Sequence, residues 1–287
     1  MNELLSCLPF LPGWLARSTA FISRLVAYGA SEAKRQCAMQ GATNSIRHCM
    51  AHEREDRTRM LLRFLRADGF DLNAAERRIR AHAEWWLDNT DMRMDNALPP
   101  VDQDELTPDV GAQRCTCCGI APCAHADLLY PSGFDVYGHP VLIARPANHV
   151  RPAGSKPIAS AYTANAVRAT VHTVARCCDL IARLNLPGDG MLVLYDCRGV
   201  TTANWDLEYA TQIVAHLGDN FPERIFVVLV VYNSWMLSGL WAMVSALLPK
   251  EVVAKVVFCG DDLRKASVHL GDDHPYLAAA GRAPSMR

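Results

Sequence analysis

Apolar positions follow two different periods along this chain. From residue 53 to 91 they recur at helical spacing. Leu61, Leu62, Phe64 and Leu65 lie at i, i+1, i+3 and i+4, with Arg59, Arg63 and Arg66 expected to turn outward. Gly69 predicts a stop, and Asp71 predicts the N-cap of a second helix. The apolar side of that helix is read as Ala74, Ala75, Ile79, Ala83 and Trp86. A hairpin this small needs a larger body to dock on. From residue 140 onward strand and helix signals alternate. Strands are predicted at 141–145, 191–195, 225–232 and 256–259. Helices are predicted at 164–184, with Val167, Val171, Val174, Cys178 and Ile181 on one side, and at 206–217, with Leu207, Ala210, Ile213, Val214 and Leu217 on one face. The alternation predicts an α/β fold: a mixed, largely parallel sheet flanked by helices, preceded by a small helical module.

Two segments break the pattern. Residues 1–50 form an N-terminal extension. Between Ser6 and Ser31 it holds only Arg17 and Arg24 among bulky apolar residues such as Trp14, Phe21 and Leu25. It reads as an amphipathic helix laid against the domain, the alternative being a targeting or membrane-surface segment. Residues 94–130 read as an acidic, Cys-rich linker that separates a helical module at 51–93 from a domain at 131–281. Its Cys115, Cys117, Cys118, Cys123 and His125 are soft ligand types, but their spacing matches no zinc knuckle or finger, so no metal is expected.

Residues 225–249 carry no charge, and the run is long enough to cross a bilayer. Its composition divides it into a Val-rich strand, a polar turn at Asn233 and Ser234, and a helix at 236–248. That helix is apolar nearly all round. A helix of this kind covers an apolar cavity, meets a membrane, or does both in turn.

Composition narrows the class. Half of the 287 residues are hydrophobic and 21% are charged, which describes a folded globular chain. A net charge of −1 leaves no broad grip on nucleic acid. Eleven cysteines, an odd number with several inside apolar runs, favour a reduced cytoplasmic setting over a disulfide scaffold. Gly-x-Ser-x-Gly, Gly-x-x-x-x-Gly-Lys and Gly-x-Gly-x-x-Gly are all absent, so no enzymatic activity is expected. His48 and His52 read as polar-face histidines. Asp196 and Arg198, at a strand end, read as an ion pair or a cap, the alternative being a catalytic role in an α/β enzyme.

Several motifs, taken in order, resemble one family. They are Leu61-Leu-Arg-Phe-Leu-Arg66 with Phe70-Asp71 and Glu84-Trp85-Trp86; Gly133-Phe-Asp135 with Gly138-His-Pro-Val-Leu-Ile143; Tyr195-Asp-Cys-Arg-Gly199; Asn220-Phe-Pro-Glu-Arg224; and Asn233-Ser-Trp235, Trp241 and Lys255-Val-Val-Phe258. Together, over roughly residues 55 to 275, they resemble the CRAL-TRIO lipid-binding domains, with a likeness to phosphatidylinositol-transfer members. The resemblance implies an apolar pocket for one phospholipid or similar hydrophobic molecule, with that lipid as ligand and no cofactor. It also implies a mobile gate helix that touches a membrane surface during exchange. Met236, Leu240, Trp241, Val244 and Leu247 would form the gate and pocket. Glu223 and Lys255 would contact the lipid headgroup. The family's threonine position is Val252 here, its neighbouring basic residue is replaced by Asp68-Gly69, and its C-terminal Glu-Tyr-Gly-Gly is absent.

The expectation is thus a monomeric, cytoplasmic, peripherally membrane-associated protein that binds and exchanges a lipid, phosphatidylinositol being one candidate. The alternative is a non-exchanging lipid- or protein-binding module that regulates membrane trafficking or a small GTPase.

Overall fold

A computed structural model describes residues 57–89, 125, 127–184, 186, 188–233 and 237–280. The N-terminal extension, with His48 and His52, and most of the linker, with its four cysteines, lie outside the described residues.

The helical hairpin forms as α1 (Arg57–Ala67) and α2 (Leu72–Asp88). Asp71 caps α2, its Oδ1 accepting from the amides of Asn73 at 2.9 Å and Ala74 at 3.1 Å. The sheet runs β1 (Leu129–Phe134), β2 (Pro140–Ala144), β3 (Met191–Asp196), β4 (Ile225–Val231) and β5 (Val256–Gly260), in that spatial order. β1 is antiparallel to β2, and the remaining pairs are parallel. Parallel strands need crossovers, and α3 (Lys156–Arg183) and α4 (Leu207–Asn220) supply two of them. α5 (Leu237–Ser245) and the single turn α6 (Lys250–Val253) make the third, and α7 (Arg264–Leu270) and α8 (Pro275–Ala280) close the chain.

β1 begins inside the segment read as linker. Its Pro131 and Gly133 hide it from a propensity reading, and an edge position with a register shift between Pro131 and Phe134 is where such residues are tolerated. The charge-free run divides as expected into β4, a turn at Tyr232 and Asn233, and α5. No helix among the described residues is long and apolar enough to cross a membrane.

Two apolar layers sandwich the sheet. On one face Val141, Ile143, Leu192, Leu194, Leu229 and Val231 meet Ala266 and Leu270 of α7 and Tyr276 of α8. On the other, Leu142 and Met191 meet Val167, Val171, Val174 and Ile181 of α3, with Tyr209, Ile213 and Leu217 of α4 alongside.

The hairpin docks differently from the sequence expectation. Arg63 is 1% exposed, not outward. Its Nη1 donates to the carbonyl of Pro222 at 2.9 Å. Arg59 pairs with Asp189 at 2.5 Å and Arg78 with Asp68 at 3.0 Å, and Arg78 also donates to the Gly218 carbonyl. Of the three α1 arginines expected outside, only Arg66 is exposed. On α2, Ala75 is buried as expected, but Ala83 is exposed and His82 is buried instead, its Nδ1 bonding Asn220 Oδ1 at 3.1 Å. Trp85 is half-buried, edge-on to Phe221 with ring centroids 6.1 Å apart. The Trp86 side chain is outside the described set. Apolar periodicity finds the general face of such a helix. It misses a buried polar group whose partner is 138 residues away.

At the other end of the sheet, Asp206 caps α4 and gathers a buried network. It accepts from the Tyr209 amide at 3.0 Å and the Thr163 hydroxyl at 2.7 Å, and it bonds His149 Nε2 at 3.0 Å. Burial pushes its carboxyl up, but these hydrogen bonds together bring it below the usual aspartate range.

Two outcomes follow for stability. Arg63→Ala removes a buried hydrogen bond from a charged donor and should lower urea-unfolding stability by about 1.5–3 kcal/mol; a loss under 0.5 kcal/mol would refute the docking role. Asp206→Ala should cost about 1–2 kcal/mol at neutral pH. Because the folded carboxyl titrates below its unfolded value of about 3.9, its contribution is present above that value and is lost as pH falls through the folded one. The gap between wild type and Asp206→Ala in a pH series of urea melts should therefore close in acid.

Candidate functional site

A parallel sheet is normally covered on both faces. Here one face has a gap. Register places Val193 and Tyr195 of β3, Val228 and Val230 of β4, and Val256 and Phe258 of β5 on the α3/α4 side. The helices α3 and α4 cover β1 to β3. Over β5, the described cover is α5, whose Trp241 ring meets Phe258 edge-on at 5.3 Å. Between α4 and α5 the described residues leave part of the floor exposed. Tyr195 and Phe258 are each 40% exposed, although β3 is an interior strand. The apolar side of α4, with Ala210, Ile213, Val214 and Leu217, is only half-buried, and the one buried residue of that helix is Asn220. Apolar surface is thus left uncovered on both the floor and the walls of a cleft.

Of the expected gate residues, Trp241 and Val244 are half-buried and Leu247 is 38% exposed. Met243 adds another exposed apolar side chain at 43%. Met236 and the side chain of Leu240 lie outside the described set. The helix is shorter than predicted. It ends at Ser245, Leu247 and Leu248 continue as a turn, and Pro249 caps α6.

Glu223 and Lys255 come together at the amino ends of β4 and β5. Lys255 Nζ lies 3.9 Å from Glu223 Oε2 and donates to the carbonyl of Ile225 at 2.9 Å. Glu223 sits at φ +58°, a left-handed backbone that a side-chain-bearing residue adopts at a cost of roughly 1–3 kcal/mol. The turn is held in place by Arg63 on the preceding carbonyl. Nearby, Asp68 carries a negative charge paired with Arg78, where the resemblance would place a basic residue. Val252 supplies only its carbonyl, to the Lys255 amide at 3.0 Å.

Asp196 and Arg198 form the expected ion pair, at 2.5 Å, and they belong to the opposite face. The Arg198 guanidinium lies 4.8 Å from the Tyr232 ring and 5.9 Å from the Tyr276 ring, pinning the C-terminal helix. Cys177, Cys197 and Cys259 are buried free thiols, and burial pushes Cys177 and Cys197 up to about 12, so they pack as inert small hydrophobes. His125 is buried with its ring 4.6 Å from Tyr162. Among the described residues no cluster of His, Cys, Asp or Glu could hold a metal.

The sequence reading passed over Tyr195 as a cleft residue. The available signal was period-2 alternation in Met191–Asp196, which puts the tyrosine on the same face as Met191 and Val193.

Among curated proteins, none matches this chain. Among solved structures, the crystal structure of Sfh5 is similar, with a TM-score of 0.62 at 11% identity, covering 91% of this chain and 85% of that one. At that identity the likeness is one of fold. Residues 125–269, just over half of the chain, match the CRAL/TRIO domain. That span holds all five strands and both residues of the Glu223–Lys255 pair, and the chain belongs to the CRAL/TRIO family of lipid-binding domains.

Proposed function

We propose that this protein holds one phospholipid in the cleft between α4 and α5 and exchanges it with a membrane surface. The observation that carries the reading is the uncovered apolar strip on an interior part of the sheet. Each lipid methylene hidden there gains roughly 0.8 kcal/mol relative to water. Acyl chains therefore leave readily only into another apolar phase, and α5 is the element that must move to let them pass. The family consists of lipid-binding and transfer proteins rather than enzymes, and no catalytic step is proposed for this chain.

In this reading Glu223 and Lys255 face the headgroup. Lys255 offers a point charge to a phosphate and Glu223 an acceptor for ring hydroxyls, which suits phosphatidylinositol. The strained backbone at Glu223 supports a role beyond packing.

Lipid extraction and native mass spectrometry of freshly purified protein should find one phospholipid per chain. A ligand-free preparation that takes up no lipid would overturn the proposal. Trp241→Asp puts a charge on the gate, costly to bury. It should abolish vesicle-to-vesicle transfer while far-ultraviolet circular dichroism stays native. Unchanged transfer would sink the gate assignment, and binding without any transfer in the wild type would favour a non-exchanging regulatory module. Lys255→Ala removes a charge-assisted contact and should weaken phosphatidylinositol binding by about one to two orders of magnitude, with phosphatidylcholine less affected. Equal loss of both lipids would refute the headgroup role.

A further inference from the structure

A second exposed apolar patch lies where β1 turns into β2. Val136 and Tyr137 of that turn, Phe226 near the start of β4 and Val268 of α7 are between 38% and 68% exposed. They adjoin one another. The Val136 amide donates to the His269 carbonyl at 2.9 Å, next to Val268, and the Val136 side chain packs over Gly271, where a Cβ would come within 3.2 Å of it. The Tyr137 ring meets Phe226 edge-on at 5.7 Å, and the His139 ring stacks on Phe226 at 4.1 Å. Asp135 fixes the turn. Its Oδ1 accepts from the amides of Tyr137 at 2.9 Å and His139 at 2.8 Å, and its Oδ2 bonds His139 Nδ1 at 2.9 Å. Apolar side chains held in water forgo the gain of burial, and a contiguous patch of them marks an interaction surface.

The chain that precedes α1 enters beside this patch. Residues 1–56 lie ahead of α1 and outside the described residues. α1 is anchored at its third residue, Arg59, which donates to the Leu186 carbonyl at 3.3 Å and pairs with Asp189 at 2.5 Å. Between those two partners, Gly188 lies so close to His139 that a side chain there would strike the ring. The entry point of the preceding chain is thus one packing contact from the His139–Phe226 stack.

One stretch of that chain suits the patch. Trp14, Phe21, Leu25 and Tyr28 are spaced seven, four and three apart, a single face at helical period. No acidic residue occurs between Ser6 and Ser31, and Arg17 and Arg24, seven apart, border that face. The patch offers the opposite charge: Gly271, under Val136, is followed by exposed Asp272 and Asp273. From Tyr28 to Arg57 is 29 residues. A coil of that length spans roughly 30 Å, so it reaches the patch and keeps the stretch near it at high effective concentration.

We infer that residues 14–28 dock across Val136, Tyr137, Phe226 and Val268. The N-terminal extension is then a fixed part of the domain rather than a free membrane anchor. The inference stands independently of the lipid-binding reading.

The test is photo-cross-linking in the full chain. Tyr137→p-benzoylphenylalanine, irradiated and digested, should cross-link to peptides from residues 14–28. The product should have monomer mass, and its yield should not change on dilution. Phe21→Asp combined with Leu25→Asp puts two charges into the contact. It should cut that product by about 10-fold, the size of one buried aromatic side chain, while far-ultraviolet circular dichroism stays native. An undiminished product in that variant would overturn the docking, as would the absence of any cross-link within residues 14–28. Cross-links only between two chains would give the patch to a second copy instead. Cross-links only to lipid, on adding vesicles of phosphatidylcholine and phosphatidylserine, would give it to a membrane; either result overturns the inference.

Discussion

A parallel sheet has two faces to cover, and among the described residues one is closed and the other only in part. Interior parallel strands are apolar on both sides because helices normally pack on both. Here α7 and α8 close one face around Tyr276, while α3 and α4 close the other only as far as β3. Val230, Val256 and Phe258 continue across β4 and β5, where the described cover is α5. Left wet, that surface would cost folding free energy at roughly 25 cal/mol per Å². A bound apolar molecule would remove the cost.

The contacts around the sheet's rims tie the helical module and the strand ends together. The helical module is fixed by arginines rather than by a large apolar interface. Arg63 reaches the Pro222 carbonyl, and Arg59 reaches Asp189, just ahead of β3. Pro222 immediately precedes Glu223, so the module and the turn that presents Glu223 beside Lys255 are one mechanical unit. β4 is bounded by left-handed residues on both sides, Glu223 at φ +58° and Tyr232 at φ +54°. The second is covered by the Arg198 guanidinium, itself clamped by Asp196. Strained positions of this kind persist only where surrounding contacts over-determine them, and here those contacts are ion pairs and cation–ring packing at the rims of the sheet.

Charge is arranged to stay out of the cleft. Lys255 is satisfied by Glu223 and a carbonyl, Asp206 by three donors, and Asp196 by Arg198. The cleft floor itself carries no ionisable group except the Tyr195 phenol, which burial keeps neutral. An apolar chain lying on that floor would therefore meet no salt bridge and little desolvation penalty on the protein side.

The sequence by itself determined the element order, because 3.6- and 2-residue periods survive in single segments and caps such as Asp71 are local. It also determined that residues 225–249 are a strand, a turn and an apolar helix, since valines and a central Asn233 are incompatible with one continuous span. The ordered motifs carried the family and singled out Glu223 and Lys255, 32 residues apart in the chain, as candidate headgroup contacts, and the fold brought the two side by side. Tertiary structure alone decided what depends on distant partners. Arg63 looks like a solvent-facing arginine until Pro222 supplies a carbonyl, and His82 looks unsuited to a core until Asn220 meets it. β1 is a strand only because β2 offers an edge that tolerates Pro131. Tyr195 became a cleft residue because α4 and α5 stop short of each other above it. No local pattern encodes where two helices fail to meet, since that gap is set by how every other surface has already been packed.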